Sequence, residues 1–152
     1  MKIFAKEVLK IFQLAENKRK NSALLSLPEF EGITLIDIGA AGDIEPRWKA
    51  VEKNLNYIGF EPDTRSANIL IDKESSCKSY KIYPHDLLDV EGEINLNLCR
   101  KPQVSSIYAP NNALINLFPD PKRFDVLKTE SIKTKKLDQL KIARPDFLKL
   151  DI

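Results

Sequence analysis

The sequence has few of the residues that form metal sites and disulfide frameworks. It contains two cysteines, Cys77 and Cys99, without CxxC spacing, and one histidine, His85. This composition excludes a zinc site of the usual Cys and His type and a disulfide-dense secreted scaffold. The thiols fit a reducing compartment or two small buried hydrophobes. We expect no metal, and we interpret His85 as a surface or structural residue.

A strong charge of one sign and long apolar runs are also missing. The formal net charge is +2, and lysines and arginines are interspersed with acidic residues, so the sequence lacks the concentrated basic face of a nucleic-acid binder. In the opening segment "MKIFAKEVLKIFQLAENKRK", Lys and Glu interrupt every short apolar run, which excludes a signal peptide and a membrane span there. We therefore expect a cytoplasmic protein that binds neither nucleic acid nor membrane.

The composition that remains is typical of a soluble globular domain, with 43% apolar and 30% charged residues. We divide the chain into residues 1–30, an amphipathic helix with a linker, and residues 31–152, an α/β domain. Apolar residues recur at helical spacing in the first part: Phe4, Val8, Ile11, Phe12 and Ala15. This helix either covers the core or a subunit contact, or closes over a substrate site as a lid.

From residue 33 onward, apolar runs alternate with helical patterns. "ITLIDIG" and "YIGFEP" are typical of short strands, and "DIEPRWKAVEKN" and "DTRSANILIDKES" are typical of helices. Asp63 occupies the position of an N-cap for the second helix. Strands and helices that alternate at this spacing predict βαβ units and a parallel sheet.

The later segments predict a more varied region. "SYKIYPHDLL" and "EINLNLC" flank "DVEG", which favours a turn between an antiparallel pair. "SIYAPNNALINLFPDPKRF" predicts a loop with one short helix, and "DVLKTESIKTKK" predicts an extended segment. "KLDQLKIA" predicts a short helix leading into a buried terminal strand, "RPDFLKLDI".

Polar residues and glycines are concentrated where the first two predicted strands end. The first strand runs into "DIGAAGD", which contains Asp37, Gly39, Gly42 and Asp43. Ligands of open parallel sheets bind at this edge, and glycines there allow a close approach. Glu61 ends the second strand 22 residues after Gly39, near the spacing of an acid that binds ribose. The pattern predicts an adenosine cofactor, and the alternative is an ordinary βα turn.

The choice of cofactor depends on the same turn. Counted from Gly39, the dinucleotide fingerprint requires glycines where Ala41 and Ile44 stand. Asp37 and Asp43 disfavour a pyrophosphate and favour cationic sulfonium and ammonium groups. We therefore expect S-adenosylmethionine rather than NAD.

The terminal strand carries two charges in an otherwise apolar pattern. Alternation places residues 147, 149 and 151 on one face and residues 148, 150 and 152 on the other. Central parallel strands are usually apolar on both faces, so Lys149 and Asp151 form either an ion pair near an exposed strand end or part of a site. If this strand lies beside the first one, Asp151 faces the same crevice as Gly39.

These segments, taken in order, resemble the FkbM-type S-adenosylmethionine-dependent methyltransferases. The resemblance covers residues 34–152 and rests on "LIDIGAAGD", "YIGFEPD", "VSSIYAPN", "KKLDQL" and "RPDFLKLDI". It implies a Rossmann-like class I methyltransferase fold in which the turn 37–42, including Ala40, holds the methionine part and Glu61 holds the ribose. Members of the family continue beyond the position of Ile152, so we expect a chain that holds an incomplete sheet of such a domain.

The resemblance also implies a reaction, methyl transfer to a hydroxyl of a sugar or another small molecule. Such an in-line displacement depends on positioning and is helped by a base. Asp151 is our candidate base, with Lys149 fixing it or the substrate. Asp86 is a candidate for the adenine amino group, as acids after the third strand are in many class I methyltransferases, although the FkbM family has a small apolar residue there.

Other functions remain open at this level. An NAD-dependent oxidoreductase is disfavoured by the turn, and a non-catalytic or partial nucleotide-binding module is the alternative from another class. An interrupted sheet would leave an unpaired apolar edge, so we expect the chain by itself to aggregate or to form a homo-oligomer such as a dimer.

Overall fold

The computed structural model describes residues 32–151, which form two β-sheets with connecting helices. The strands are β1 (Ile33–Ile38), β2 (Leu55–Phe60), β3 (Ser79–Tyr83), β4 (Asp86–Leu87), β5 (Gly92–Cys99), β6 (Val126–Lys135) and β7 (Phe147–Leu150). The α-helices are α1 (Thr64–Ile71) and α2 (Asn112–Ile115), and the 3₁₀ helices are Pro46–Asn54, Pro102–Val104, Pro121–Phe124 and Leu137–Gln139. The predicted N-terminal helix over 1–30 and the residue Ile152 lie outside the described residues.

The first sheet is parallel and has the strand order β3-β2-β1-β7. Its central strands are apolar on both faces, as is usual for parallel strands covered on both sides. Ile36 and Phe60 belong to one core cluster, and Leu35 and Leu55 belong to another. The α/β class with a parallel sheet flanked by helices is thus confirmed, and the sheet is compatible with a Rossmann-like fold.

The two helices predicted between the first three strands form differently. In α1, the side chain of the N-cap residue Asp63 accepts a hydrogen bond from the Arg65 N–H at 3.0 Å, and Leu70 is buried. The preceding segment Pro46–Asn54 is a 3₁₀ helix rather than an α-helix, and it buries no residue. Packing of an apolar face supplies most of the stability of short α-helices, and this segment packs against the core through the partly buried Trp48.

The second sheet has the order β4-β6-β5, with β4 parallel and β5 antiparallel to β6. The predicted antiparallel pairing across "DVEG" is therefore wrong, because β5 pairs with β6 and β3 pairs with β2 in the first sheet. Tyr80 stacks on Tyr57, and Tyr83 stacks on Phe60, with ring centroids 5.2 and 5.0 Å apart. These aromatic pairs favour the placement of β3 beside β2.

The strand β7 pairs with β1 but is not buried as predicted. Phe147, Leu148 and Leu150 are each about half exposed, because β7 is at one edge of the first sheet within residues 32–151. The register places Lys149 directly beside Asp37. No helix in the described part of the chain is long and apolar enough to cross a membrane.

Candidate functional site

A cleft of about 830 Å³ opens at the carboxyl ends of β1, β2 and β7. Its charged side chains are Glu61 directly after β2, Asp86 at the start of β4, Lys149 within β7 and Asp151 directly after β7. The facing wall comes from β5 and the loops of the second sheet, and it is mostly apolar. Its members include Leu96, Val104, Ser105, Ser106, Ile107, Tyr108 and Phe124. The site therefore has one charged wall and one apolar wall.

Gly39 makes the tight turn at the end of β1. Its φ is +79°, and a Cβ at this position would overlap the backbone carbonyl oxygen of Asp151. The Gly39 N–H donates to the Phe60 carbonyl oxygen at 3.0 Å. Glycine is thus required here for two reasons: φ is positive, and the end of β7 lies against the turn. The second reason depends on a distant segment, so the local sequence pattern does not reveal it.

Glu61 lies at the carboxyl end of β2, where the sequence predicts the ribose-binding acid. Its side chain is buried, with a relative exposure of 3%, and Oε1 accepts a hydrogen bond from the Asp63 N–H at 2.8 Å. Burial raises the pKa of Glu61 to about 7, an effect that nearby Asp63 and Asp86 increase and that N–H donors of Asp63 and Ala41 oppose. A buried acid with such a pKa in a cleft is a candidate ligand-binding group.

Asp86 is the second buried acid of the cleft. Its Oδ1 accepts a hydrogen bond from the Leu87 N–H at 2.9 Å, and burial raises the pKa of its carboxyl. The neighbouring His85 is not among the residues that line the cleft. Burial and then the charge of Lys135 lower the pKa of His85.

Lys149 connects the cleft to a carboxylate beneath it. Its Nζ donates to Asp37 Oδ1 at 2.7 Å and lies 2.9 Å from Asp151 Oδ2. The Tyr57 hydroxyl donates to the other oxygen of Asp37 at 2.8 Å. Burial acts to lower the pKa of Lys149, but the hydrogen bonds to Asp37 and Asp151 outweigh it and raise that pKa. The predicted pair of Lys149 and Asp151 at the crevice is thus present, with Asp37 as a third member.

Four residues assigned to the cofactor from sequence do not line the cleft: Asp37, Ala40, Gly42 and Asp43. Asp37 is buried under Lys149. Ala40 is also buried, and its N–H donates a hydrogen bond to the Phe60 carbonyl oxygen. Asp43 is exposed and pairs with Lys73, which lowers the pKa of Asp43. The turn directs these side chains to the core or to solvent, so only Gly39 and Ala41 of this segment reach the cleft.

The charges of the cleft favour a cationic ligand over a polyanion. Three acidic side chains line it, of which Glu61 is about half ionised near pH 7, and its one lysine is engaged by two carboxylates: the acids are Glu61, Asp86 and Asp151, and the lysine partners are Asp37 and Asp151. Within residues 32–151, no arginine lines the cleft. Within the same range, no group of three or more His, Cys, Asp or Glu side chains is placed to hold a metal ion. A ligand with positive charge is therefore electrostatically preferred at this wall.

The sequence did not identify the residues of the facing wall. Residues 104–108 of this wall belong to the family-like segment "VSSIYAPN", for which the sequence suggests no role, and Leu96 and Phe124 carry no motif. Their approach to the first sheet depends on how the two sheets pack, which no local spacing reports.

Comparisons with protein-family models, with curated proteins and with solved structures yield no match to this chain.

Proposed function

We propose that this chain binds S-adenosylmethionine and belongs to a methyltransferase that acts on a hydroxyl of a sugar or another small molecule. The observation that carries the proposal is Glu61, a buried acid at the carboxyl end of β2, next to the Gly39 turn. Acids in this place accept hydrogen bonds from ribose hydroxyls in nucleotide-binding α/β sheets. The resemblance to FkbM-type methyltransferases supports the same assignment.

The residues of the cleft fit this cofactor. Glu61 would bind the ribose hydroxyls, and Asp86 would accept a hydrogen bond from the adenine amino group. The backbone of Gly39 and Ala41 would contact the methionine part, whose ammonium group suits the acidic wall. NAD fits less well, because a pyrophosphate would lie among carboxylates and a fingerprint glycine is replaced by Ala41.

The acceptor side of the reaction would depend on Asp151 and Lys149. When bound, S-adenosylmethionine supplies an electrophilic methyl group. The Asp151 carboxylate would take the proton of the acceptor hydroxyl as its oxygen attacks. Lys149, at 2.9 Å from Asp151 Oδ2, would hold that carboxylate in place. The apolar wall would exclude water and position the acceptor, which is the main requirement of a displacement reaction.

Calorimetric titration with S-adenosylmethionine and, separately, with NAD tests the cofactor. We expect binding of S-adenosylmethionine alone and its loss in Glu61→Ala. Glu93→Ala is the matched control, because Glu93 is an exposed glutamate of β5 outside the cleft. Binding of NAD instead would favour an oxidoreductase, and binding of neither would favour a non-catalytic module.

Turnover tests the proposed base. With a panel of hydroxyl compounds as acceptors, we expect Asp151→Asn to lower kcat by at least about a hundredfold, the usual contribution of general base catalysis. Unchanged turnover in Asp151→Asn would contradict this role without affecting the assignment of the cofactor.

A further inference from the structure

The two walls of the cleft are joined at one buried carboxylate, Asp63. Its side chain is 1% exposed, and Oδ1 accepts hydrogen bonds from the backbone N–H and the Nε of Arg65, at 3.0 and 2.9 Å. Its second oxygen accepts from Arg65 Nη2 at 2.5 Å and from Ser105 Oγ at 3.1 Å. An N-cap needs only a bond to the helix backbone, so the contacts of the second oxygen exceed what α1 requires.

The same two partners of Asp63 also bind the end of β5 in the second sheet. Arg65 Nη2 donates to the Cys99 carbonyl oxygen at 2.8 Å, and the Cys99 N–H donates to Ser105 Oγ at 3.1 Å. Both backbone groups of Cys99 are thus engaged by Arg65 and Ser105. Of these two bonds, the one from the Arg65 guanidinium is charge-assisted and therefore stronger than a neutral hydrogen bond.

The backbone of Asp63 connects this network to the candidate ribose site. Its N–H donates to Glu61 Oε1 at 2.8 Å, while Ser105 lies on the facing wall of the cleft. One residue therefore orients the Glu61 carboxylate through its main chain and anchors the opposite wall through its side chain. A change in either set of contacts would move both walls relative to each other.

We propose that Asp63, Arg65 and Ser105, here called the clasp, are positioning residues that hold the second sheet against the first and orient Glu61 for its ligand. The identity of that ligand rests on the proposed function, but the mechanical role of the clasp does not. Arg65 and Asp63 act through other groups, since neither lines the cleft.

The mechanical role is tested without a ligand through the thiol of Cys99. This thiol is buried, and burial raises its pKa, so its alkylation by iodoacetamide reports opening of the clasp region. In a Cys77→Ala background Cys99 is the one remaining cysteine. We expect Ser105→Ala to accelerate alkylation about tenfold, the factor for one lost hydrogen bond to a charged group. Ser131→Ala is the matched control, because it removes a serine bond to the exposed Glu93 on the outer part of the second sheet, and it should leave the rate unchanged.

The orienting role is tested with S-adenosylhomocysteine as the probe. We expect Ser105→Ala and Arg65→Met each to weaken the binding of S-adenosylhomocysteine about tenfold. The control Ser131→Ala should leave the affinity unchanged. Ser105→Thr retains the hydroxyl and should bind with nearly the affinity of the unaltered protein. Because Arg65 and Ser105 share one carboxylate, the loss in the double variant should be smaller than the product of the two single losses.

The outcomes separate the two proposals. Equal alkylation rates in the Cys77→Ala protein with and without Ser105→Ala would overturn the clasp. A Ser105→Thr variant that binds S-adenosylhomocysteine as weakly as Ser105→Ala would also overturn it. Failure of the unaltered protein to bind S-adenosylhomocysteine would overturn the proposed function, and the alkylation rates would still decide whether the clasp holds the sheets together.

Discussion

Lys149 Nζ and Asp37 Oδ1 lie 2.7 Å apart, although 112 positions separate the two residues in the sequence. They are register partners in β7 and β1, so the parallel pairing itself brings the two side chains together. Asp37 is also bound by the Tyr57 hydroxyl, which leaves its carboxylate engaged on both oxygens. Asp37 therefore holds the ammonium group of Lys149 in the lining of the cleft, and Lys149 also pairs with Asp151, which is at the surface of the site.

Removal of Lys149 should destabilise the protein strongly. Lys149→Met leaves the buried Asp37 carboxylate with Tyr57 as its remaining partner given by the structure, and loss of one member of a buried pair costs about 3 kcal/mol. The control is Lys73→Met, which breaks a pair with the exposed Asp43 and should cost less than about 1 kcal/mol. Urea unfolding measures both values, and equal losses would show that Asp37 is not effectively buried.

Glu61→Gln should stabilise the protein at high pH. The pKa of Glu61 is raised from 4.5 to about 7, so the folded protein keeps a proton that the unfolded chain loses between these values. The stability that protonated Glu61 contributes is present below pH 4.5 and is lost as the pH rises through 7. A neutral glutamine avoids this loss, which amounts to about 3 kcal/mol. The melting temperature of the variant should clearly exceed that of the unaltered protein at pH 8 and exceed it only slightly at pH 4.5. For the control Glu93→Gln, the difference in melting temperature from the unaltered protein should not change with pH. A gain of the same size at both pH values would contradict the raised pKa.

The affinity for S-adenosylhomocysteine should also depend on the ionisation of Glu61. It should rise with pH, whereas the stability that protonated Glu61 contributes falls with pH. The ionised Glu61 carboxylate accepts hydrogen bonds from ribose hydroxyls, and the neutral acid accepts them less well. We therefore expect affinity to fall as the pH is lowered through about 7, near the pKa of Glu61. Calorimetry between pH 6 and pH 8 measures the slope, and Glu61→Gln should bind weakly without this slope. A slope that persists in the variant would assign the titration to another group.

Gly39→Ala should disturb the end of β7 as well as the turn. A side chain at a positive φ costs about 1–2 kcal/mol, and the new Cβ would overlap the carbonyl oxygen of Asp151. The control Gly92→Ala has open space around its Cβ and should change stability by at most about 0.5 kcal/mol. Unfolding curves compare the two, and hydrogen exchange of the Asp151 N–H, which donates to the Ile38 carbonyl oxygen at 2.9 Å, should accelerate only in Gly39→Ala. An unaffected Asp151 amide would show that the turn does not depend on β7.

The local sequence was sufficient to predict the elements whose residue pattern is local. The strands β1 and β2 follow from short apolar runs, and α1 follows from Asp63, whose carboxylate caps the helix as expected. Glu61 was placed correctly at the end of β2 because an acidic residue directly after a buried strand must lie at the carboxyl edge of the sheet. In each case neighbouring residues determine the outcome.

Tertiary structure alone decided the partners that are distant in the chain. The pairing of β5 with β6, the half-exposed β7 and the separation of Asp43 from the cleft did not follow from local pattern. The ion pair of Lys149 with Asp37 and the hydrogen bond from Ser105 to Asp63 did not follow from local pattern either. Such contacts require the closure of long loops and the packing of two sheets, so their free energy depends on the whole arrangement rather than on any segment. The sequence by itself thus determined the parallel α/β core and the position of Glu61, and the packing of the second sheet on the first determined the cleft.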